Sequence, residues 1–353
     1  MTPPDLVLLT GATGMVGLRV LVRLLEYGYY VRAAVRTQAG FDRICSLPCL
    51  RFYGGQLSRV VVPDITDKWA YYEAILGVTY VVHVASPISC DNFTTVAQLR
   101  DHIIRPAVKG TVGILTAAQW SQSVKRVVIT GSLVSIASEE SIASGRMIDE
   151  YTWDVNMTGE ITHANAYVRS KALAFAAVQD YLRQNKPPYT VINILPVTII
   201  GRDDSLMNME TDCFKGTNSL LIGSLLGIQN NIITMPGNSV HLDDVAELHV
   251  RSLDQNWARA HLMGHQTFIA AAGPMTWSDC FDIVKRRFPK EYAEGVFPFF
   301  DAAVRARTSV VNVNNMAARL LLGRNFKTFE EQVVSVVQQY LELRMRGQRR
   351  LLR

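Results

Sequence analysis

Short apolar runs alternate with longer helical patterns through the first two hundred residues. Runs at 6–10 (LVLLT), 30–35 (YVRAAV), 59–63 (RVVVP), 80–85 (YVVHVA), 126–130 (RVVIT) and 190–195 (TVINIL) have the length and β-branched content of strands. Between them, patterns at 14–27, 67–77, 93–120 and 164–184 space their apolar residues as one face of a helix. Strand and helix in regular alternation predict an α/β fold, a doubly wound parallel sheet covered by helices. RVVVP and RVVIT are apolar at nearly every position, which predicts burial on both faces.

After Gly201 the alternation breaks down, and the chain becomes richer in Gly, Asn and Met. Helices are expected at 214–227, 243–256, 276–288 and 328–346. Residues 1–201 therefore read as the main domain. Residues 202–353 read as mainly a smaller C-terminal lobe facing the substrate, with segments around 230–272 returning to the main domain.

Composition changes this picture little. With 48% hydrophobic and 19% charged residues, the 353-residue chain has ample material for a core and nothing of a disordered protein. The formal charge of +5 is local: residues 343–353 hold Arg344, Arg346, Arg349, Arg350 and Arg353 and no acid, so the rest of the chain is balanced. The basic excess is a tail, read as a solvated helix end, with docking to an anionic membrane or a partner as the alternative. Nothing points to nucleic acid. Five scattered cysteines (Cys45, Cys49, Cys90, Cys213, Cys280) form no CxxC pair and have no histidine at zinc spacing, which predicts reduced thiols, no metal and a cytoplasmic protein. No signal segment precedes the first strand, and no apolar stretch reaches the ~18 residues of a membrane span. The pattern specifies no oligomeric state.

The segment VLLTGATGMVGLRV places a glycine-rich turn between a strand and a helix. The free N–H groups of a helix's first turn, here from Thr13 to Val16, and its dipole attract a phosphate. Gly11 suits the tight turn, Gly14 the approach of a pyrophosphate and Gly17 the close packing of helix on strand, with Met15 and Val16 opening the helix. The spacing is GxxGxxG rather than the GxGxxG of the dehydrogenase fingerprint. At the end of the second strand stands Arg36, where an acid would hold the 2′-hydroxyl of NAD. A guanidinium there binds a 2′-phosphate through charge-assisted hydrogen bonds, so NADP(H) is the expected cofactor and Arg43 a second phosphate contact. The domain is accordingly read as a Rossmann domain.

Tyr167 and Lys171 in AYVRSKALAF are four residues apart and share one face of a helix. An ammonium beside a phenol stabilises phenolate and lowers a pKa that starts near ~10. Ser132, at the end of RVVITGS, is placed to polarise a carbonyl that Tyr167 protonates. Asp64 in VPDIT is placed for the adenine amino group together with Ile65, or alternatively caps a helix starting near Asp67. Ala85 and Ser86, after the fourth strand, would border the cofactor's ribose and phosphates. His83 lies inside a buried strand, where a local hydrogen bond is expected rather than ligation. Met207, Met209, Phe214 and the leucines of 220–226 are candidates for an apolar substrate pocket or for plain packing.

Together these motifs resemble the extended short-chain dehydrogenase/reductases, in particular the dihydroflavonol reductase and cinnamoyl-CoA reductase branch with its fungal ketone and aldehyde reductases. The resemblance runs through TGATGMVG, AVR, PDIT, HVASP, PAVKGTVGIL, RVVITGS, YVRSK, ILPVTIIG and HLDDVA. It implies that Tyr167 donates the proton, that Lys171 grips the nicotinamide ribose, that Ser132 holds the substrate oxygen and that Pro196 and Val197 flank the nicotinamide. It implies too that His241, Asp243 and Asp244 form a structural turn. Three positions depart from the pattern: Gly131 replaces the middle serine of TSS, Phe175 stands where Glu is frequent, and Ala137 replaces an asparagine that contacts flavonoids. The implied activity is NADPH-dependent reduction of a ketone or aldehyde, a small-molecule carbonyl, by analogy in specialised or polyketide metabolism. Sugar-nucleotide epimerases and dehydratases share the fold, but dehydratases carry an Asp-Glu pair after the catalytic hydroxyl and Ser132 is followed by LVSIAS. A non-catalytic NADP-binding regulator is the third reading, and the presence of Tyr167 and Lys171 argues against it.

Overall fold

The computed structural model describes residues 5–87, 93–207, 216–228, 235–254, 265–299 and 308–351. Six strands form where the six apolar runs stand: β1 (Leu6–Thr10), β2 (Tyr30–Val35), β3 (Leu57–Val61), β4 (Tyr80–His83), β5 (Arg126–Thr130) and β6 (Thr190–Pro196). They pair in parallel. Four short strands follow, β7 (Thr198–Ile200), β8 (Asn238–His241), β9 (His265–Ala270) and β10 (Gly273–Pro274). The large sheet has the order β3-β2-β1-β4-β5-β6-β9 and a small one the order β10-β8-β7. The strand order reverses direction between β1 and β4, and the expected doubly wound α/β architecture is present.

The helices are α1 (Met15–Glu26), α2 (Gln38–Cys45), α3 (Val96–Leu99), α4 (Arg105–Trp120), α5 (Glu139–Ala143), α6 (His163–Asn185), α7 (Asn218–Leu225), α8 (Leu242–Arg251), α9 (Asp279–Arg287), α10 (Pro289–Ala293), α11 (Met316–Leu322) and α12 (Phe329–Leu351). α3 starts at a Thr95 and Gln98 capping box and passes through one wide π turn into α4, so the pattern at 93–120 is realised as one helical run. α6, which carries the tyrosine and lysine, is capped by Thr162, whose hydroxyl accepts the Asn165 N–H. It ends at Lys186 in the left-handed conformation, with φ 43°.

Two expectations fail. The pattern at 67–77 forms successive turns rather than a helix. Asp67 accepts the Trp69 N–H at 2.7 Å and most backbone bonds there span three residues, while Tyr71, Ala74 and Ile75 are buried in the core. Local side-chain to backbone bonding competes with the helix at this point. RVVVP is the second: β3 lies at the edge of the sheet, ends at Val61 and leaves Val61 45% exposed. RVVIT, in the interior of the sheet, is buried from Arg126 to Ile129.

The chain divides into two compact units. The first comprises Met1–Glu139, Glu150–Leu195 and Ala246–Phe268. Its core sets Leu8, Val81, Val127 and Val191 of the sheet against Ile114, Leu115 and Ala118 of α4 and Val178 and Tyr181 of α6. Each of the valines, leucines and the isoleucine contributes about 1.5–3 kcal/mol by leaving water. The second unit comprises Glu140–Asp149, Pro196–Val245 and Ile269–Arg353, with its own core around Trp277, Phe281, Phe297, Val333 and Val337. Leu221, Ile222 and Leu225 belong to that core, so these side chains serve packing. Met207 is exposed, and Met209 and Phe214 lie outside the described residues. In the same unit Asp244, fully buried, accepts the Lys327 N–H at 2.7 Å and pairs with Arg324 at 2.6 Å, while the Asp243 N–H donates to His241. The turn is structural, as expected, and its acid holds the approach to α12.

Cys45, Cys49 and Cys280 are in no disulfide, and Cys90 and Cys213 fall outside the described residues. Among the described residues there is no group of side chains that would hold a metal ion and no helix long and apolar enough to cross a membrane. Arg346 is exposed near the end of α12, whereas the side chains of Arg349, Arg350 and Arg353 lie outside the described set.

Candidate active site

The turn after β1 is built by steric exclusion. Gly11 has φ +78°, and a Cβ there would stand 2.7 Å from the Ala85 nitrogen. At Gly17 a Cβ would fall 2.0 Å from the Gly11 carbonyl oxygen, so helix α1 can close on the turn only with glycine. Gly14 is different: its nearest neighbour would be the Gly11 oxygen at 3.7 Å, an ordinary contact. Space over Gly14 is left on the solvent side, where a ligand would sit. α1 starts at Met15 with Gly14 as its N-cap and has neither a side-chain cap nor an acid in its first turn. Its leading amides, those of Met15, Val16 and Gly17, form an anion cradle.

Thr10, the last residue of β1, ties this turn to the end of β4. Its hydroxyl accepts the Ala85 N–H at 3.1 Å and is 2.9 Å from His83 Nδ1. His83 is held by a hydrogen bond, as expected, but to a partner from another strand, and burial drives its pKa down to about 3, helped by the nearby Lys171 charge. Thr10 is a site residue that motif reading passed over; its position at the carboxyl end of β1, one residue before the glycine turn, was the available signal.

Arg36, immediately after β2, is exposed and makes no bond to any described residue. Arg43 is also exposed, but its guanidinium donates to the Thr13 carbonyl at 2.9 Å, which holds α2 against the glycine turn. Asp64 does not cap a helix. It accepts the Thr66 N–H at 2.8 Å, and this bond, reinforced by the positive charges of Lys109 and Arg36, holds its carboxyl below the usual range. Ile65 packs its side chain against α4, where a Cβ on Gly110 would lie 2.8 Å from Ile65 Cδ1. Ser86 and Ala85 are partly exposed beyond β4. Pro196 closes β6, and the Val197 N–H donates to the Ala270 carbonyl at 3.1 Å.

Ser132, Tyr167 and Lys171 come together at the carboxyl ends of β4 and β5. β5 delivers Ser132 two residues past its end, and Thr130 is fixed there by a 2.7 Å bond to His249 Nε2. The Ser132 N–H donates to the fully buried Ser135 hydroxyl at 3.1 Å. A Cβ at Gly131 would meet Leu195 Cδ2 at 2.4 Å, so a side chain there would have to displace the end of that leucine. Ala137 is wholly buried.

Burial raises the Tyr167 pKa, and a hydrogen bond with Ser132 acts in the opposite direction. Lys171 Nζ lies 5.8 Å from the centre of the tyrosine ring, and loss of water pushes its pKa down to about 8. The expected depression of the phenol by the ammonium is therefore not found in the protein alone. The reason is geometric: the charge faces the ring while desolvation, the larger effect, opposes phenolate. The Ser132 hydroxyl is the group that stabilises phenolate here. The three side chains can hold an oxygen, deliver a proton to it, and place a cation beside the donor.

Residues 7–262 match the NAD dependent epimerase/dehydratase family. Over 351 residues the chain is 33% identical to "Ketoreductase CTB6" of Cercospora nicotianae, with 96% of each chain covered. It is 34% identical over 354 residues to "NAD-dependent epimerase/dehydratase ALT6" of Alternaria alternata, covering 96% of this chain and 98% of the other. Among solved structures, Gre2 in complex with NADPH from Candida albicans superposes with a TM-score of 0.83 at 24% identity, covering 96% and 99% of the two chains. Fold, site and sequence agree with one another: the chain belongs to the NAD dependent epimerase/dehydratase family.

Proposed function

We propose that this protein is an NADPH-dependent reductase of a ketone or aldehyde, a ketoreductase acting on a small-molecule carbonyl in the cytoplasm. The observation that carries the reading is the meeting of Ser132, Tyr167 and Lys171 on one side of a glycine turn whose open amides suit a pyrophosphate. Arg36, exposed just past β2 and in no hydrogen bond or ion pair with a described residue, suits a 2′-phosphate and so NADP over NAD. Relatives called ketoreductases at 33% and 30% identity over nearly the whole chain support the reaction class.

The bound nicotinamide would supply the hydride to the carbonyl carbon. Ser132 holds the carbonyl oxygen and favours the developing negative charge. Tyr167 Oη, kept protonated by burial, gives its proton to that oxygen. Lys171 Nζ supplies the positive charge that steadies the tyrosine once it has lost the proton. The leading amides of α1 and Arg36 would hold the cofactor's phosphates, and Asp64 would accept from its adenine amino group. The second unit is assigned to the substrate. No carboxylate follows Ser132, whose next residues are LVSIAS, so the acid/base pair of a sugar dehydratase is missing.

The test is NADPH consumption with aromatic, aliphatic and polyketide-like carbonyls, repeated with NADH. Turnover of at least one carbonyl, faster with NADPH, is expected. Inertness towards the whole panel, or tightly bound NAD in the purified protein, would reject the reading.

A further inference from the structure

The connection that leads from Ser132 on β5 to Tyr167 on α6 joins the two hydroxyl-bearing residues of the site. It starts at the carboxyl end of a central strand, where doubly wound sheets receive their ligands. Its later part is fastened at three points within the first unit. The Ser138 N–H donates to Asp154 at 2.7 Å, and the Asp154 N–H to the Ile136 carbonyl at 3.1 Å. Trp153 stacks on Phe175 of α6 with ring centroids 5.5 Å apart, which gives the unusual residue at position 175 a partner. The third fastening is Arg169 of α6. Its guanidinium donates to the Gly159 carbonyl at 2.9 Å and to the Met157 carbonyl at 2.5 Å.

Arg169 is only 6% exposed, and among the described residues no carboxylate pairs with it. A buried cation answered only by carbonyls is unfavourable unless its geometry is well satisfied. The planar fork of arginine meets the two carbonyls with pre-set geometry, whereas a lysine would offer them a flexible point charge. Arg169 stands two residues from Tyr167, about 200° around the helix axis. It therefore points away from the face that Tyr167 and Lys171 share.

We propose that Arg169 is a positioning residue for the substrate: by clamping residues 157 and 159 to the catalytic helix, it fixes the substrate-side connection relative to the Tyr167 hydroxyl. The proposal rests on the carbonyl-reductase reading. It makes the loop and the proton donor one body, so that substrate binding, not cofactor binding, depends on the clamp.

The experiment compares wild type with Arg169→Met and the milder Arg169→Lys. It measures KM for the best carbonyl of the panel, NADPH Kd by fluorescence, and amide hydrogen exchange across 155–162. Arg169→Met should raise the carbonyl KM about 10-fold, the effect of one lost charge-assisted hydrogen bond, and leave NADPH Kd within about 2-fold. Exchange at 157–160 should quicken at least ~10-fold, with β5 unchanged, and Arg169→Lys should fall between. A folded Arg169→Met with wild-type KM overturns the proposal, as does a raised KM without faster loop exchange. If Arg169→Met fails to fold, the same readings on Arg169→Lys decide. A wild type inert to every carbonyl would instead reject the reductase reading itself, a result distinct from an active wild type with an indifferent variant.

Discussion

Two strands of this protein contain the tripeptide Arg-Val-Val and end in different surroundings. β3 carries Arg59, Val60 and Val61 at the edge of the sheet, where Arg59 is exposed and rests on the face of Phe41 at 5.5 Å. β5 carries Arg126, Val127 and Val128 between β4 and β6, and all three are buried. Arg126 is 1% exposed and donates to the Ser252 carbonyl at 2.7 Å, the Asp254 carbonyl at 3.1 Å and Thr190 at 2.9 Å. The same three residues make a solvated edge in one place and a satisfied interior in the other. Only the interior strand, flanked on both sides, ends in a site where a serine, a tyrosine and a lysine meet away from water.

The contrast between centre and edge can be broken most sharply at the end of β5. Tyr167→Phe should lower kcat by about 10²–10⁴ and leave NADPH affinity near that of wild type, because it removes the proton donor and keeps the ring. A variant with near-normal turnover would remove Tyr167 from the chemistry. Lys171 tests the same region through stability. Its folded pKa of about 8 lies below the ordinary 10.5, so the unfolded chain binds more protons between these values and stability rises with pH across that window. Lys171→Met should thus be more stable than wild type by about 3 kcal/mol below pH 8, an advantage that vanishes above about pH 10.5. Urea unfolding at pH 6 and pH 10.5 measures it, and equal differences at both would contradict the buried-cation account.

The paired arginines provide the direct comparison. Arg126→Met should destabilise the fold by about 2–3 kcal/mol, since buried carbonyls lose their donors. Arg59→Ala should stay within about 0.5 kcal/mol of wild type. Similar losses from both would mean that edge and centre are not distinguished as described. Arg36, just past β2 on the edge side, matters for binding alone: Arg36→Gln should weaken NADPH about 10-fold and leave NADH unchanged. Titration with both cofactors checks it, and parallel losses would remove the 2′-phosphate contact.

Much of this was legible along the chain because it is carried by short-range patterns. β1, β2 and β5 fall where their apolar runs stand, and α6 is within a residue of its pattern at each end. The strand, glycine turn and helix of the first motif are local, so Gly11 and Gly17 could be assigned from order alone. Pairings distant in sequence were not legible. Thr10 meets His83 across 73 positions, and Thr130 meets His249 across 119. The side chain packed closest over Gly131, that of Leu195, lies on a neighbouring strand. The turns at 67–77 satisfied a helical spacing, yet the bond from Asp67 to Trp69 claimed the backbone first.

By itself the sequence determined the alternation of strand and helix, the glycines that a tight turn admits, and the side chains available for proton transfer. These follow from backbone sterics and from periodicities of a few residues. The tertiary structure decided which Arg-Val-Val strand is interior, which leucine packs over Gly131, and in which direction burial moves the Tyr167 and Lys171 protons. Burial and desolvation are properties of what surrounds a group from every side, and a linear order of residues contains only two of those neighbours.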